Sequence, residues 1–374
     1  MSARRLLSIA VMACLFCATL AACREPEPIR LGFLGGLTGR AAGLGTSGRN
    51  GFLLAIEQAN EAGGINGRRI EAVIGDDRMD PGQAATTLQE LYRQQVVAVV
   101  GPMTSQIAIA VAPEANRARV PMISPTVSTN QLSGQDDYFL RVYYNNTQAA
   151  GMLADYLASS PKKPRMAAIY DLANRAYTED WLKDFRQLYG KWGGEVLAAV
   201  PFDSTQGIVF GKIVDQALQK NPEGILFLAS AVDSAMLAQQ LAKRGIKVPI
   251  FATGWSATDD LLQMGGRSVE GLVLIQSADQ ESQAATHREF VQGYTERFNE
   301  KPKFPALHAY DATRMVIAAL AKGQAEGPQL KASLLALPPQ PGAQGLVCFD
   351  EFGDLCAPEL HLAVVKDGSY RTLH

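Results

Sequence analysis

Short apolar runs alternate with amphipathic helical stretches from residue 29 onward, and this alternation constrains the fold more than any other feature of the chain. Ile29–Gly35 is a short apolar run closed by two glycines. Asn50–Ala62 follows, with Phe52, Leu53, Ile56 and Ala59 on one helical side, and stops at Gly63-Gly64. The tight-turn sequence Ile65-Asn66-Gly67-Arg68 leads into a second strand, Arg69–Gly75. Pro81–Gln94 predicts a helix with Pro81 in its first turn, where the missing N–H costs nothing. Val96–Val100 is unbroken apolar sequence, as expected of a strand buried on both faces. A helix from Ser105 to Arg117 and a strand at Val120–Ser124 continue the rhythm. Such alternation implies a parallel sheet with helices on both sides.

The pattern restarts near residue 146. Helices are expected at Asn146–Ser159, Ala176–Trp192, Gly207–Gln219 and Val232–Gly245. Strands are expected at Arg165–Tyr170, Glu195–Val200, Gly224–Ala229 and Pro249–Ala252. The fold class is therefore α/β with two lobes, in keeping with a chain too long for one ordinary core. The last hundred residues add a strand, helical patterns at Ala285–Phe298 and Ala306–Ala321, and a hairpin around Gly353.

The N-terminus reads as an export signal. Arg4 and Arg5 precede an apolar run, Leu6 to Ala22, that is short for a bilayer span. It ends Leu20-Ala21-Ala22-Cys23, which resembles the bacterial lipobox, where the Cys becomes the lipidated first residue. Residues 1–22 are then the signal and 23–28 a tether that holds the protein to a membrane outside the cytoplasm. Of five Cys, Cys14 and Cys17 leave with the signal and Cys23 carries lipid, so Cys348 and Cys356 remain in an oxidising compartment. With Gly353 at the left-handed position of a three-residue hairpin loop, Cys348 faces Cys356, close enough for a disulfide; two free buried thiols are the alternative. Loss of Arg4 and Arg5, with no acid, moves the formal charge from −2 to −4. That is nearly neutral for this size and gives no sign of a nucleic-acid partner.

Ligands of open α/β sheets sit beyond the carboxyl ends of the strands. Two such ends here carry hydroxyls: Gly101-Pro102-Met103-Thr104-Ser105 and Pro125-Thr126-Val127-Ser128-Thr129. The first opens a helix, whose free N–H groups suit an anion. As an alternative, Ser105 is a plain N-cap, which does not exclude ligand binding.

Several motifs together resemble the type I periplasmic binding proteins of the leucine/isoleucine/valine-binding family, in lipoprotein form. They are Ile29 to Gly39, the Ala-Gly-Gly-Ile-Asn-Gly ending at Gly67, Asp76-Asp77, Asp80-Pro81, Val100-Gly101-Pro102, Ile123-Ser124-Pro125, Tyr310-Asp311-Ala312 and Phe349 to Asp354. The resemblance implies two doubly wound parallel-sheet lobes joined by a three-segment hinge, with a ligand cleft between them. Crossings fall near Arg141–Asn146, Gly271–Ser277 and Gln340–Gly345, giving lobe 1 as 29–144 plus 277–343 and lobe 2 as 145–276 plus 344–374. It implies that Ser105 and Ser128, with Thr104, hold a ligand carboxylate, and that Thr126 and Val127 supply backbone contacts. Tyr177, Ser230 and Trp255 form the opposite jaw, although Tyr177 and Trp255 also fit a plain core. Where family members present a Glu to the ligand ammonium, this chain has Gly254-Trp255, and Leu44 replaces an aromatic. Asp233 or Asp259 is a substitute that nothing in the sequence places.

The function so implied is solute capture for an ABC importer, with a permease and ATPase as partners and an amino acid as the default ligand. The absent Glu keeps aromatic and other carboxylates or amides open, and the same fold also serves tethered sensors. Gly43-Leu44-Gly45-Thr46-Ser47-Gly48 matches a dinucleotide fingerprint but does not open directly from the strand, so it reads as a mobile loop at the cleft edge. Four scattered His and no nucleophile–base constellation give no expectation of a metal, a cofactor or catalysis.

Overall fold

The computed structural model describes residues 26–39, 42–279, 282–323 and 326–373. The expected signal, Cys14, Cys17 and the lipidation candidate Cys23 lie outside the described residues. Strand β1 (Ile29–Gly35), helix α1 (Ala42–Glu61), β2 (Ile70–Asp76), α2 (Pro81–Arg93), β3 (Ala98–Val100), α3 (Ser105–Ala118), β4 (Met122–Ser124) and β5 (Phe139–Arg141) come first. The five strands lie in the order β2-β1-β3-β4-β5. All pair in parallel, β1 with β2 from Ile29↔Ile70 to Gly35↔Asp76. A parallel sheet must be covered on both faces, and Leu31, Phe33, Val99 and Ile123 are fully buried.

The chain then builds a second sheet. It runs through α4 (Asn146–Ala158), β6 (Met166–Asp171), α5 (Arg175–Lys191), β7 (Val196–Phe202), α6 (Phe210–Leu218), β8 (Gly224–Leu228), α7 (Ala231–Lys243), β9 (Ile250–Ala252), α8 (Asp259–Gly265) and β10 (Val273–Gln276). Three helices return to the first sheet: α9 (Ala285–Phe298), α10 (Phe304–Ala321) and α11 (Gly327–Leu335). Ala309, Ala312, Met315 and Val316 of α10 share a core with Leu31, Phe33 and Val100. A small ribbon, β11 (Gln340–Pro341) with β12 (Leu346–Val347), precedes β13 (His361–Lys366) and β14 (Ser369–Leu373).

Two expectations change here. The second sheet, β14-β13-β10-β9-β8-β6-β7, is mixed: β13 and β14 join it antiparallel. Asp367 and Gly368, both at positive φ, make the tight turn between them. Val273–Gln276 is strand, so the second crossing follows Gln276, at the expected bound between residues 276 and 277. The hairpin assigned to lobe 2 packs instead on the first sheet: the Arg141 N–H donates to Gly353 O at 2.9 Å, and Val347 joins the first core. The last change of lobe therefore lies between Cys356 and His361. Within the hairpin Cys348 and Cys356 are disulfide-bonded, with Cα atoms 5.6 Å apart. Asp350 N–H to Asp354 O, 2.9 Å, fixes the expected register.

The expected loop at residues 43–48 is helix. α1 starts at Ala42 and runs through the glycines. Each Gly costs about 1 kcal/mol in a helix, but here contact decides. A Cβ on Gly45 would lie 2.1 Å from Gly36 O, and one on Gly51 2.0 Å from Ala306 O. The glycines let α1 lie against the loop after β1 and against α10, closer than any side chain allows. Among the described residues no helix is long and apolar enough to cross a membrane.

Candidate functional site

The carboxyl ends of β3 and β4 knit into one cradle. Ser124 Oγ donates to Pro102 O at 2.8 Å and accepts from Val127 N–H at 3.1 Å. Thr126 Oγ1 donates to Met103 O at 2.6 Å. Ser105, the first residue of α3, accepts from the N–H groups of Ser128 and Thr129 at 3.4 and 3.3 Å. These bonds decide which hydroxyls can serve a ligand. Thr126 has spent its proton on Met103. Ser105 receives bonds only, so its O–H remains free to donate. Thr104 occupies the N-cap of α3 without capping it. Apart from the Gln106 N–H, which Asn174 accepts, the first-turn N–H groups of α3 are uncapped among the described residues and lie beside free hydroxyls, an anion-binding arrangement.

A cavity of about 20 Å³ between the sheets is lined by Thr104, Ser105, Thr126, Ser128, Tyr177 and Trp255, and also by Leu44, Met103, Tyr143, Tyr144, Asn174 and Phe304. Among the described residues no lining side chain is charged. Six of the eight expected ligand residues therefore meet in one place. The other two do not. Val127, expected to contribute through its backbone, does not line the cavity; its side chain packs into the core with Leu34 and Val99 and its N–H donates to Ser124 Oγ. Ser230 caps α7, its Oγ donating to Asp233 Oδ2 at 2.7 Å and accepting from Asp233 N–H at 3.2 Å. That cap also absorbs Asp233, so this carboxylate cannot replace the missing Glu. Asp259 lines a neighbouring cavity instead.

In the second jaw, Tyr177 meets Trp255 edge to face at 5.9 Å. The Tyr177 hydroxyl sits beside Thr253 and the Trp255 backbone, and burial raises its pKa far above the phenolic range. Neither Tyr177 Oη nor Thr253 Oγ1 makes a hydrogen bond of good geometry. Buried unpaired hydroxyls cost about 1–3 kcal/mol each, so this jaw holds polar groups in want of a partner. Sequence reading missed Tyr143 and Tyr144, at the first crossing. Their rings stack at 4.1 Å and their hydroxyls lie 3.1 Å apart. Burial raises the Tyr143 pKa to about 12. A Cβ on Gly254 would lie 2.3 Å from Tyr144 Oη. The Tyr144 hydroxyl fills the space that a side chain at 254 would need.

Direct contacts hold the two jaws together. The Gln106 N–H of α3 donates to Asn174 Oδ1 at 3.0 Å. Asp180 Oδ2 on α5 accepts from Asn130 N–H at 2.7 Å and from Thr129 Oγ1 at 3.0 Å. Arg141, fully buried, braces the same loop: its Nη1 reaches Thr129 O at 2.8 Å while its Nε pairs with Asp354 at 2.7 Å. The disulfide-closed hairpin thereby anchors the loop that follows Ser128.

Two α/β sheets facing each other across an uncharged hydroxyl-lined cleft, with the chain passing between them three times, define a two-lobed binding protein. The comparisons give the family. Residues 28–358 match the model of the family described as Periplasmic binding protein, and the chain belongs to that family. Membership carries an extracytoplasmic location. A Leu/Ile/Val-binding protein homolog 3 of Brucella melitensis is 24% identical over 346 residues, 91% of this chain and 92% of that protein. A crystal structure of a leucine binding protein, LivK, from Thermotoga maritima has TM-score 0.85 at 22% identity, covering 92% of this chain and 98% of that one. A solute binding protein of an ABC transporter from Rhodopseudomonas palustris, in complex with 3,4-dihydroxy benzoic acid, has TM-score 0.83 at 24% identity, covering 92% and 96%.

Proposed function

We propose that this chain captures a small carboxylate-bearing solute and delivers it to the permease and ATPase of an ABC importer, tethered by lipid on Cys23. Binding occurs without turnover. The observation that carries this reading is the convergence of free donors at the cradle: the Thr104, Ser105 and Ser128 hydroxyls and the α3 N-terminus, with no acid opposite. Such a site takes an anion without needing a counter-charge. A cavity of about 20 Å³ holds little more than one water. The lobes must therefore part about the crossings to admit a solute and close over it. Thr126 then contributes backbone and shape, and Tyr177 and Trp255 form the lid.

The relatives' names favour a branched-chain amino acid. Gly254, with the Tyr144 hydroxyl in its place, favours a second reading: a carboxylate without an ammonium, the class of the acid bound by the Rhodopseudomonas protein. A thermal-shift screen of leucine, isoleucine, benzoate and short aliphatic acids separates the two. A ligand at a hundred times its Kd stabilises by about 2.7 kcal/mol. The double variant Ser105→Ala/Ser128→Ala removes two hydrogen bonds to a charge, about 1.5–3 kcal/mol each. It should weaken the best ligand at least ~100-fold. Unchanged affinity would show the cradle to be misassigned.

A further inference from the structure

A second chamber adjoins the cleft and is much the larger, about 190 Å³ against about 20 Å³. A cavity of about 150 Å³ accepts a benzene ring, so the chamber has room for a ring or a short chain. Both cavities use the Tyr143 and Phe304 side chains as walls, and these rings stack at 6.1 Å. Residues 254 and 255 run from one to the other, Gly254 lining the chamber and Trp255 the cleft.

The chamber's polar groups are what distinguish it. Gln276, at the end of β10, is 4% exposed and lines the chamber. Among the described residues its side-chain amide has no hydrogen-bond partner, so its donors and acceptor are free for a guest in the chamber. Lys301 and Lys303 also line it, and among the described residues neither ammonium has an acidic partner within salt-bridge distance. Among the described lining residues Asp259 is the only carboxylate, against two lysines, so their balance is positive. The His287 ring, its pKa lowered by burial, does not offset that. The apolar remainder includes Phe290 and Leu307.

We propose that this chamber is a second compartment of the ligand site and that the ligand is a two-headed acid. One carboxylate sits in the hydroxyl cradle, a linker of ring size runs along the Tyr143 and Phe304 walls that both cavities share, and a second carboxylate meets the Gln276 amide and the Lys301 and Lys303 ammoniums. This rests on the carboxylate cradle proposed above and names the ligand class for it.

Calorimetric titration of the mature protein tests it with matched pairs: benzene-1,4-dicarboxylate against benzoate, and adipate against hexanoate. In at least one pair the two-headed acid should bind tenfold tighter or more. Gln276→Leu, and separately Lys301→Ala/Lys303→Ala, with Lys301 exposed and Lys303 half-buried, should erase that ratio and leave the one-headed acid unaffected. Ser105→Ala/Ser128→Ala should weaken both members of a pair. Ratios near one in the wild type, with benzoate still sensitive to the serine variant, overturn the second compartment and leave the cradle standing. A ratio that survives the Gln276 and Lys variants, or no binding by any of the four acids, also overturns the proposal. Acids insensitive to the serine variant but sensitive to Gln276→Leu would instead remove the cradle.

Discussion

The two jaws of the cleft are built differently. The first is made of strand ends: Thr104, Ser105, Thr126 and Ser128 follow β3 and β4 directly, and their orientation comes from backbone bonds among neighbouring loops. The second is made of side chains gathered from afar. Tyr177 comes from α5, Trp255 follows β9, and the space at Gly254 is taken by Tyr144 from the crossing. A jaw fixed by local backbone geometry announces itself in sequence. A jaw fixed by tertiary approach shows only as departures, such as a Gly where a Glu was expected.

Buried charge sharpens the contrast and supplies the largest expected effect. Asp311, on α10 behind the first jaw, is buried, and its Oδ1 accepts the Ala343 N–H at 2.8 Å in the third crossing. Burial raises its pKa from 3.8 to about 7, opposed by that hydrogen bond and by the charge of Arg314. The folded protein therefore keeps a proton that the unfolded chain loses. The contribution of Asp311 to stability thus falls as pH rises from about 4 to about 7 and then levels off, by about 1.4 kcal/mol per pH unit and ~4 kcal/mol over the window. His308, on the same helix, works in reverse: burial lowers its pKa to about 3, so its contribution improves as pH rises towards 6.5. Comparing the wild type with Asp311→Asn cancels His308 and isolates the acid. The variant should gain on the wild type throughout the window in urea unfolding. Parallel stability curves would show that the first lobe carries no such buried charge.

The second jaw is tested at its closest contact. Gly254→Ala forces a methyl group onto the Tyr144 hydroxyl, and overpacking of this kind costs about 1–3 kcal/mol. Tyr144→Phe in the same chain should recover part of it, because the clashing atom is the hydroxyl itself. A neutral Gly254→Ala would mean that the second jaw tolerates a side chain there, and the contrast between the jaws would lose its sharpest point.

Most of the fold was legible because strand and helix periodicity is a local signal. Ala285–Phe298 matches helix α9 at both ends, and Ile29–Gly35 matches β1. The failures are physical. α1 begins eight residues earlier than its apolar stripe because its first turns are glycines chosen for contact, which mimic a loop. β5 has three residues, one of them the buried Arg141, and offers no period to read. The β13–β14 hairpin did carry a signal, Asp367-Gly368 between alternating residues, which sequence reading passed over. In the site, the hydroxyl cradle was visible as strand ends followed by Ser and Thr. Tyr143 and Tyr144 were not visible, although an aromatic pair beside an expected crossing is a usable clue.

The smallest effect falls on Ser230, the residue for which resemblance and structure part. The resemblance puts it in the cleft, whereas its hydroxyl is engaged twice by Asp233 at the start of α7. A capping serine is worth ~1 kcal/mol of stability. Ser230→Ala should therefore lower the unfolding free energy by about that amount while leaving the affinity for any bound acid unchanged. Ser128→Ala, one jaw away, should do the opposite: little change in stability, because no protein group depends on its hydroxyl, and a clear loss of affinity. Measuring both variants by unfolding and by ligand titration separates a helix cap from a ligand donor. Affinity lost at Ser230 would return that residue to the cleft and make the second jaw, like the first, a set of strand-end hydroxyls.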